Sequence, residues 1–319
     1  MGKGRRLLVI AMLLATAGVM GWLLLSSGPP EPVYKGKPLS YWLEGFDVNR
    51  TIYARTRPNG QEQPTEKQAM QVVNAVGAEG IPYLLGMLEA RDSKIKLAIL
   101  KLFRKQHVVK MPDTWANQDS RAWLAWRALH HVGRGLSNSV PQLIVIFERD
   151  DWAFAQTASL ALLAQTGPDA ASALPVILRR GITHTNAIVR GDAIYALRTV
   201  HPEPKLAVPV LIKSLDDPDP WVRGHAARAL ADYGKDAEAA VPSLLELYRT
   251  ESQGKVGLEM GSEDGPLVCP DWILWIVPST PGQGSPYVKG LAGQAIRAID
   301  PEAESKIKNY EQGGASTRF

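Results

Sequence analysis

Histidine, cysteine and clustered aspartate are the residue types in this chain that could bind a metal or perform catalysis. None of the six histidines (107, 130, 131, 184, 201 and 225) belongs to an HExxH or similar ligand pair. Cys269 is the only cysteine, which excludes an internal disulfide, a CxxC zinc site and CxxCH haem attachment. The nucleophile-elbow, P-loop and dinucleotide-binding patterns are absent from the 319 residues. The residues therefore predict no catalytic site and no cofactor.

The remaining acidic cluster has a structural explanation. Asp216, Asp217 and Asp219 stand together in DDPDPWVR, where aspartate is favoured because it caps turns and helix starts. We interpret them as inter-helix turn residues, with Asp219 as the N-cap before Pro220.

The charge is placed unevenly along the chain. The formal net charge is +4, but Lys3, Arg5 and Arg6 precede the first acid, Glu31, and leave 33 basic against 32 acidic residues in the rest. A nearly neutral body provides no field to steer a polyanion. Nucleic acid is therefore not expected as a partner, and no pattern indicates a small-molecule substrate.

Residues 7–25 form an uncharged apolar run of nineteen residues. As a helix this run is roughly 28 Å long, close to the hydrocarbon core of a bilayer. We predict an uncleaved transmembrane anchor, with residues 1–6 in the cytoplasm by the positive-inside bias and the body in the periplasm. A secreted protein after signal-peptide cleavage is the alternative, and a core helix is a third reading. Residues 26–64 are interpreted as a Pro-rich stalk and leading segment.

Internal repeats dominate the rest of the chain. An apolar residue followed by proline opens five similar segments, at Pro82, Pro141, Pro175, Pro209 and Pro242, with the last four 34, 34 and 33 residues apart. Proline is tolerated in the first turn of a helix because its missing N–H would be unpaired there. The spacing thus predicts a helix starting at each proline.

A second helix follows each of the first four prolines. Apolar residues recur with a spacing of four and mark one helix face: Ile95/Ile99/Phe103, Phe154/Ala158/Leu162, Val189/Ala193/Leu197 and Val222/Ala226/Leu230. Connectors contain glycine, such as Gly167 and Gly234, and Thr65 with Gln68 forms a capping box at the start of the array. We predict an all-α solenoid, a right-handed stack of helix pairs over residues 65–300, with a tail at 301–319.

Two segments carry resemblances to known proteins. AVPVLIKSLDDPDPWVRGHAARALADYG (207–234) resembles the short HEAT repeats of phycobilisome lyases, and the likeness extends over about 65–250 and 285–300. PVYKGKPLSYWLEGF (from Pro32) and VVNAVGAEGIPYLLGMLEARDS together resemble membrane-anchored HEAT proteins of Verrucomicrobia and related bacteria. The resemblances imply a HEAT-type fold and a bacterial source, and they bring no catalytic residues.

Insertions interrupt the repeats at about 105–120 and 251–284, and solenoid insertions often carry a binding face. The first precedes an amphipathic stretch, RAWLAWRALHHVG, that we interpret as the second half of a degenerate repeat. The second contains LVCPDWILWIV and has three readings: a flap over the end of the array, a partner-binding loop presenting Trp272 and Trp275, or a reactive Cys269.

Five residues are candidates for binding a partner: Trp221, Arg190, Arg223, Trp272 and Trp275. The two arginines have a structural alternative, because HEAT arrays commonly pair an arginine here with a turn aspartate of the neighbouring repeat. The sequence favours a non-catalytic protein–protein interaction scaffold at the bacterial inner membrane. The alternatives are a HEAT-fold enzyme, such as a protein similar to bilin lyases, and a nucleic-acid-binding HEAT array.

Overall fold

The computed structural model describes residues 29–46, 63–89, 118–149, 152–251 and 286–303, together with residues 305 and 307. The predictions for the anchor, for Ile95, Ile99 and Phe103, and for nearly all of 251–284 lie outside these residues. Within the described residues, none of the helices combines the length and the apolar character needed to cross a membrane. The chain forms two compact units, Met1–Val132 and Gly133–Phe319.

The first unit begins with a small β-hairpin that the all-α prediction did not include. Strands β1 (Val33–Tyr34) and β2 (Lys37–Pro38) pair antiparallel. The helical elements that follow are α1 (Leu39–Leu43), a 3-10 turn (Glu44–Phe46), α2 (Glu66–Val76), a 3-10 turn (Gly77–Gly80), α3 (Ile81–Glu89) and α4 (Gln118–Val132). Helix α4 confirms the amphipathic stretch predicted after the first insertion, and it packs on α3.

The start of α2 confirms the predicted capping box. The Gln68 backbone N–H donates to Thr65 Oγ1 at 3.3 Å, and the Thr65 N–H donates to Gln68 Oε1 at 2.8 Å. Helix α1 and the turn after it place Leu39, Leu43 and Phe46 in the hydrophobic core of this unit. Part of the leading segment is therefore packed structure.

The second unit consists of helix pairs. Its elements are a 3-10 helix (Gly133–Ser139), α5 (Val140–Arg149), α6 (Ala153–Thr166), a 3-10 helix (Gly167–Ala173), α7 (Leu174–Val176), a π turn (Ile177–Gly181), α8 (Ala187–Val200), α9 (Pro204–Ser214), α10 (Pro220–Tyr233), a 3-10 helix (Gly234–Ala240), α11 (Val241–Thr250), α12 (Pro286–Ile299) and a 3-10 turn (Pro301–Ala303). The pairs are α5/α6, the π turn after α7 with α8, α9/α10 and α11/α12, and the second helices α6, α8, α10 and α12 pack side by side. Ala303 and Ile307 are buried, so packed structure continues into the predicted tail.

The predicted apolar faces are confirmed for α8 and α10 and need a correction in α6. Val189, Ala193 and Leu197 are buried, as are Val222, Ala226 and Leu230. Phe154 is only half-buried, whereas Ala155, Ser159 and Leu163 are fully buried and lie 34 residues before the α8 positions. Ala158 and Leu162 are buried as predicted, so the prediction for this face was wrong only at Phe154, whose neighbour Ala155 lies in the core instead.

The rule that a helix starts at each repeat proline holds for Pro141, Pro175 and Pro242 but not for Pro209. Pro209 lies inside α9, which starts at Pro204. The other first helices follow a 3-10 helix that starts at a glycine with positive φ, such as Gly167 (63°) or Gly234 (52°). In the α8–α9 connection the residue with positive φ is His201, and no 3-10 helix follows it. Helix α9 therefore begins at Pro204, five residues before Pro209.

Candidate functional site

The N-termini of α8 and α10 place the candidate residues in equivalent positions. Asn186 caps α8 by accepting from the Ile188 N–H at 2.9 Å, and Asp219 caps α10 by accepting from the Trp221 N–H at 2.9 Å. Pro220 occupies the first helical position, as predicted. These caps put IVRG (188–191) and WVRG (221–224) in the first turns of adjacent helices.

Arg190 forms the arginine–aspartate contact that was the structural alternative. Its Nε and Nη2 donate to Asp217 at 2.8 Å and 2.7 Å, and its Nη1 donates to the His184 carbonyl at 2.8 Å. The hydrogen bond to Asp217 raises the pKa of Arg190 above its usual value. A bidentate pair of this kind fixes the direction of the guanidinium, so Arg190 joins the α7/α8 pair to the turn of the next one.

Arg223 repeats this arrangement one helix pair further on, with a different acid. Its Nε donates to Glu251 Oε1 at 2.7 Å, and its Nη1 donates to the Asp217 carbonyl at 2.8 Å. Glu251 follows the end of α11 and is buried. Both guanidinium groups therefore bind within the protein, and the role of either arginine toward a partner stays a prediction.

Trp221 approaches the preceding second helix closely because that helix has glycine at the contact. A Cβ at Gly191 would lie 2.5 Å from both Cδ1 and Nε1 of Trp221. One helix further the contact is looser, because a Cβ at Gly224 would lie 3.3 Å from Cδ1 of Leu291 and 3.6 Å from Cε1 of Tyr287. Gly191 thus makes room for the Trp221 ring, and Gly224 lies against side chains of α12. The sequence signal was the glycine shared by IVRG, WVRG and YVKG (287–290), whose role we had not predicted.

An aromatic cluster surrounds Trp221 on the solvent-facing side of α8 and α10. The His225 ring lies 4.4 Å from the Trp221 ring at 76°, and the Tyr195 ring lies 6.1 Å from His225 at 71°. All three side chains are half-buried. With Arg198 and Arg228 beside them, we call these five residues the aromatic face. Trp221, His225 and Arg228 are spaced by four and three residues, the spacing of one helix face, which could have revealed the group.

Electrostatics keep the centre of the aromatic face uncharged. Burial, and then the charges of Arg198 and Arg228, lower the pKa of His225 to about 3. His225 is therefore neutral at ordinary pH, with ring nitrogens that can both donate and accept. Arg198 pairs with Asp232 at 2.5 Å and lies 5.6 Å from the Tyr195 ring. The surface combines aromatic rings, a neutral imidazole and a cationic border.

The other candidates do not join this group. Trp272 and Trp275 lie outside the described residues, so their prediction stays open. Across the part of the chain that the structure describes, no group of three or more His, Cys, Asp or Glu side chains is arranged to hold a metal ion. In the first unit the His130 ring lies 5.2 Å from the Trp126 ring at 49°, and burial lowers the pKa of His130.

A comparison with protein families identifies repeats in part of the second unit. Residues 175–257 match the family model of HEAT repeats. The match spans α7 to α11, the region that contains the Arg190 and Arg223 contacts and the contact between Gly191 and Trp221. The packed helix pairs of the second unit are consistent with this assignment. A search of curated proteins found no match for the chain.

Proposed function

We propose that this chain is a non-catalytic protein–protein interaction scaffold, anchored in a bacterial inner membrane by residues 7–25, with its HEAT repeats in the periplasm. HEAT repeats are generally associated with protein–protein interactions, and residues 175–257 contain them. The apolar run and the preceding Lys3, Arg5 and Arg6 support the anchor and its orientation. The resemblance to short HEAT repeats and to anchored proteins of Verrucomicrobia supports the bacterial setting.

The aromatic face is the observation that carries the binding part of the proposal. Tryptophan, tyrosine and arginine are the residues that contribute most to protein interfaces, because they bury a large area at a low entropic cost. Here Tyr195 and Trp221 are held by neighbouring helices, so their rings are already in position. The neutral His225 adds no buried charge that binding would have to desolvate.

The border of the aromatic face indicates which partner fits. Arg228 places positive charge beside the rings, as does Arg198, whose guanidinium is paired with Asp232. A partner segment that presents an apolar side chain with a neighbouring carboxylate complements both features. We propose such a segment of another protein as the ligand of this surface.

Co-purification from detergent-solubilised membranes tests the binding part. The tagged full chain is compared with Trp221→Ala and with Leu206→Ala, a control on α9 whose side chain is 45% exposed. Removing a central interface residue costs about 2 kcal/mol or more, about thirtyfold in affinity. We expect a partner retained by the parent chain and by Leu206→Ala but lost with Trp221→Ala. Equal recovery with both variants would show that the aromatic face does not bind it.

Reporter fusions test the anchor separately. A C-terminal alkaline phosphatase fusion should be active, because the body lies outside the cytoplasm. A C-terminal GFP fusion exported by the general secretory route should not fluoresce there. Fluorescent GFP with inactive phosphatase would contradict the proposed orientation.

A further inference from the structure

The hairpin of the first unit has a tip made of two lysines and a glycine. Strand β1 pairs with β2 in the register Val33↔Pro38 and Tyr34↔Lys37. The two residues of the turn, Lys35 and Gly36, have φ of 49° and 71°. Both lie in the left-handed region, which matches the twist of a tight two-residue hairpin. The tip therefore has one defined shape that presents Lys35 and Lys37 outward.

Aromatic rings lie directly behind these lysines. Lys37 Nζ is 3.9 Å from the centroid of the Tyr41 ring and 6.0 Å from that of Trp42. Lys35 Nζ lies 5.4 Å from the Tyr34 ring. We call this group the hairpin patch, and it consists of Val33, Tyr34, Lys35, Lys37, Tyr41 and Trp42.

Hydrogen bonds and the buried core hold one side of the hairpin patch, and its other side is exposed to solvent. Trp42 Nε1 donates to the Tyr34 carbonyl at 3.1 Å, and the Leu39 N–H donates to the Pro32 carbonyl at 2.8 Å. Leu39 beneath it is buried, whereas the Val33 side chain is 68% exposed. Lys35 and Lys37 are exposed as well, and neither pairs with a carboxylate among the described residues. The result is a rigid aromatic platform with cations and one apolar side chain facing solvent.

The position in the chain indicates what the hairpin patch meets. The apolar run ends at Leu25, eight residues before Val33. Fully extended, these residues span about 28 Å. The headgroup layer on each side of a bilayer is only about 6 Å deep. If residues 7–25 are embedded, as proposed above, the patch is tethered within reach of the headgroups at high local concentration.

We infer that the hairpin patch binds the surface of the membrane that holds the anchor, with Lys35 and Lys37 contacting anionic lipid phosphates. Tryptophan and tyrosine favour the headgroup level, where an apolar ring and a polar atom are both accommodated. Lysines near an anionic surface gain electrostatic attraction. The inference rests on the proposed anchor and adds a second, lipid-dependent contact that orients the first unit.

A fluorescent probe at Val33 tests this contact in the full chain. Cys269→Ser removes the native thiol, and Val33→Cys carries an NBD label at an exposed position. The chain is reconstituted into phosphatidylcholine vesicles with or without phosphatidylglycerol, containing doxyl lipids that quench the label only at the membrane. We expect strong quenching in the anionic vesicles. Lys35→Glu with Lys37→Glu should lower the equilibrium constant for contact with the anionic membrane about thirtyfold or more, since each basic residue contributes about a fivefold preference, and the quenching should fall accordingly.

Matched controls separate this inference from the anchor itself. Lys205→Glu with Lys213→Glu makes the same charge change at two exposed lysines of α9 and should leave the quenching intact. Flotation after alkaline extraction reports the anchor independently. A chain that floats but shows no quenching at position 33 would overturn the lipid contact and leave the anchor in place. Quenching that is unchanged by Lys35→Glu with Lys37→Glu would overturn the lipid contact as well. If the chain fails to float, the anchor is wrong, and lysine-dependent quenching on added anionic vesicles still decides the patch.

Discussion

Gly191 and Trp221 are the two residues whose contact joins α8 to α10 at the aromatic face. A methyl group at position 191 would lie 2.5 Å from the indole ring, so Gly191→Ala must displace the ring or the helix. Overpacking of this kind typically costs about 1–3 kcal/mol. We expect Gly191→Ala to lower the free energy of unfolding by that amount in urea denaturation. Gly290→Ala is the matched control, because no described atom lies within 4 Å of a Cβ there. In a Trp221→Ala background, Gly191→Ala should cost much less, and if it costs the same there, the clash is not the cause.

His225 gives the aromatic face a pH dependence with a defined sign. Its pKa in the folded protein is lowered to about 3 by burial and then by Arg198 and Arg228. In an unfolded chain, histidine titrates at about 6.5. Between these values the unfolded state binds a proton that the folded state does not, so stability falls as the pH falls through this window. Above it, His225 adds no pH dependence.

The substitution His225→Gln isolates this contribution. The parent chain should lose stability on acidification more steeply than the variant, by at most about 1.4 kcal/mol per pH unit. Other groups, such as His184, titrate in both proteins and cancel in the difference. Parallel stability–pH curves from urea titrations would show that His225 is protonated as readily in the folded chain as in the unfolded one.

At the scale of helices, the turn between α9 and α10 connects neighbouring repeats. It does so through Asp217, one of two adjacent aspartates, which binds Arg190 of the preceding pair. Asp217 accepts two hydrogen bonds from Arg190 and one from the Asp219 N–H at 2.9 Å, whereas Asp216 is exposed. We expect Asp217→Ala to destabilise the second unit by about 1–3 kcal/mol, because it leaves a charged donor without its partner. Asp216→Ala should change stability by less than about 0.5 kcal/mol. Equal melting temperatures for the two variants would contradict the role of the Arg190 contact.

The local starts of helices could be predicted from sequence because they depend on a few adjacent residues. The capping box at Thr65 and the cap at Asp219 before Pro220 are confirmed. Phe154 and Pro209 were misassigned, since side-chain size and proline position are weaker guides than the packing of neighbouring helices. The hairpin at Val33–Pro38 was missed because two-residue strands are too short to show an alternating pattern.

The candidate site could be predicted only in part, because its contacts join residues of different repeats. Trp221 was one of the five partner-binding candidates predicted from sequence. Tyr195 joins Trp221 and His225 only because α8 and α10 lie side by side, a relation between residues about 30 positions apart. The partners of the two arginines also come from the next repeat. Arg190 binds Asp217, and Arg223 binds Glu251.

At the scale of the whole molecule, a repeat array should transmit damage mainly to its neighbours. Val222 is 1% exposed, so Val222→Asp buries a carboxylate at the contact between repeats at a cost of several kcal/mol. We expect hydrogen exchange to show lost protection over residues 205–250, with less change in Ile81–Glu89 of the first unit. Leu206→Asp, at an exposed position of α9, is the control. Protection equal to that of the parent chain throughout would mean that Val222 faces solvent.

The proposal that a protein partner binds the aromatic face can be tested directly by photo-crosslinking in intact membranes. Tyr195 is replaced by p-benzoylphenylalanine in the full chain, and Leu206 is replaced in the same way as the control. We expect a discrete crosslinked protein from position 195, absent from position 206 and lost when Trp221→Ala is added. A crosslinking pattern at position 195 that matches position 206, or that persists without Trp221, would contradict binding at the aromatic face.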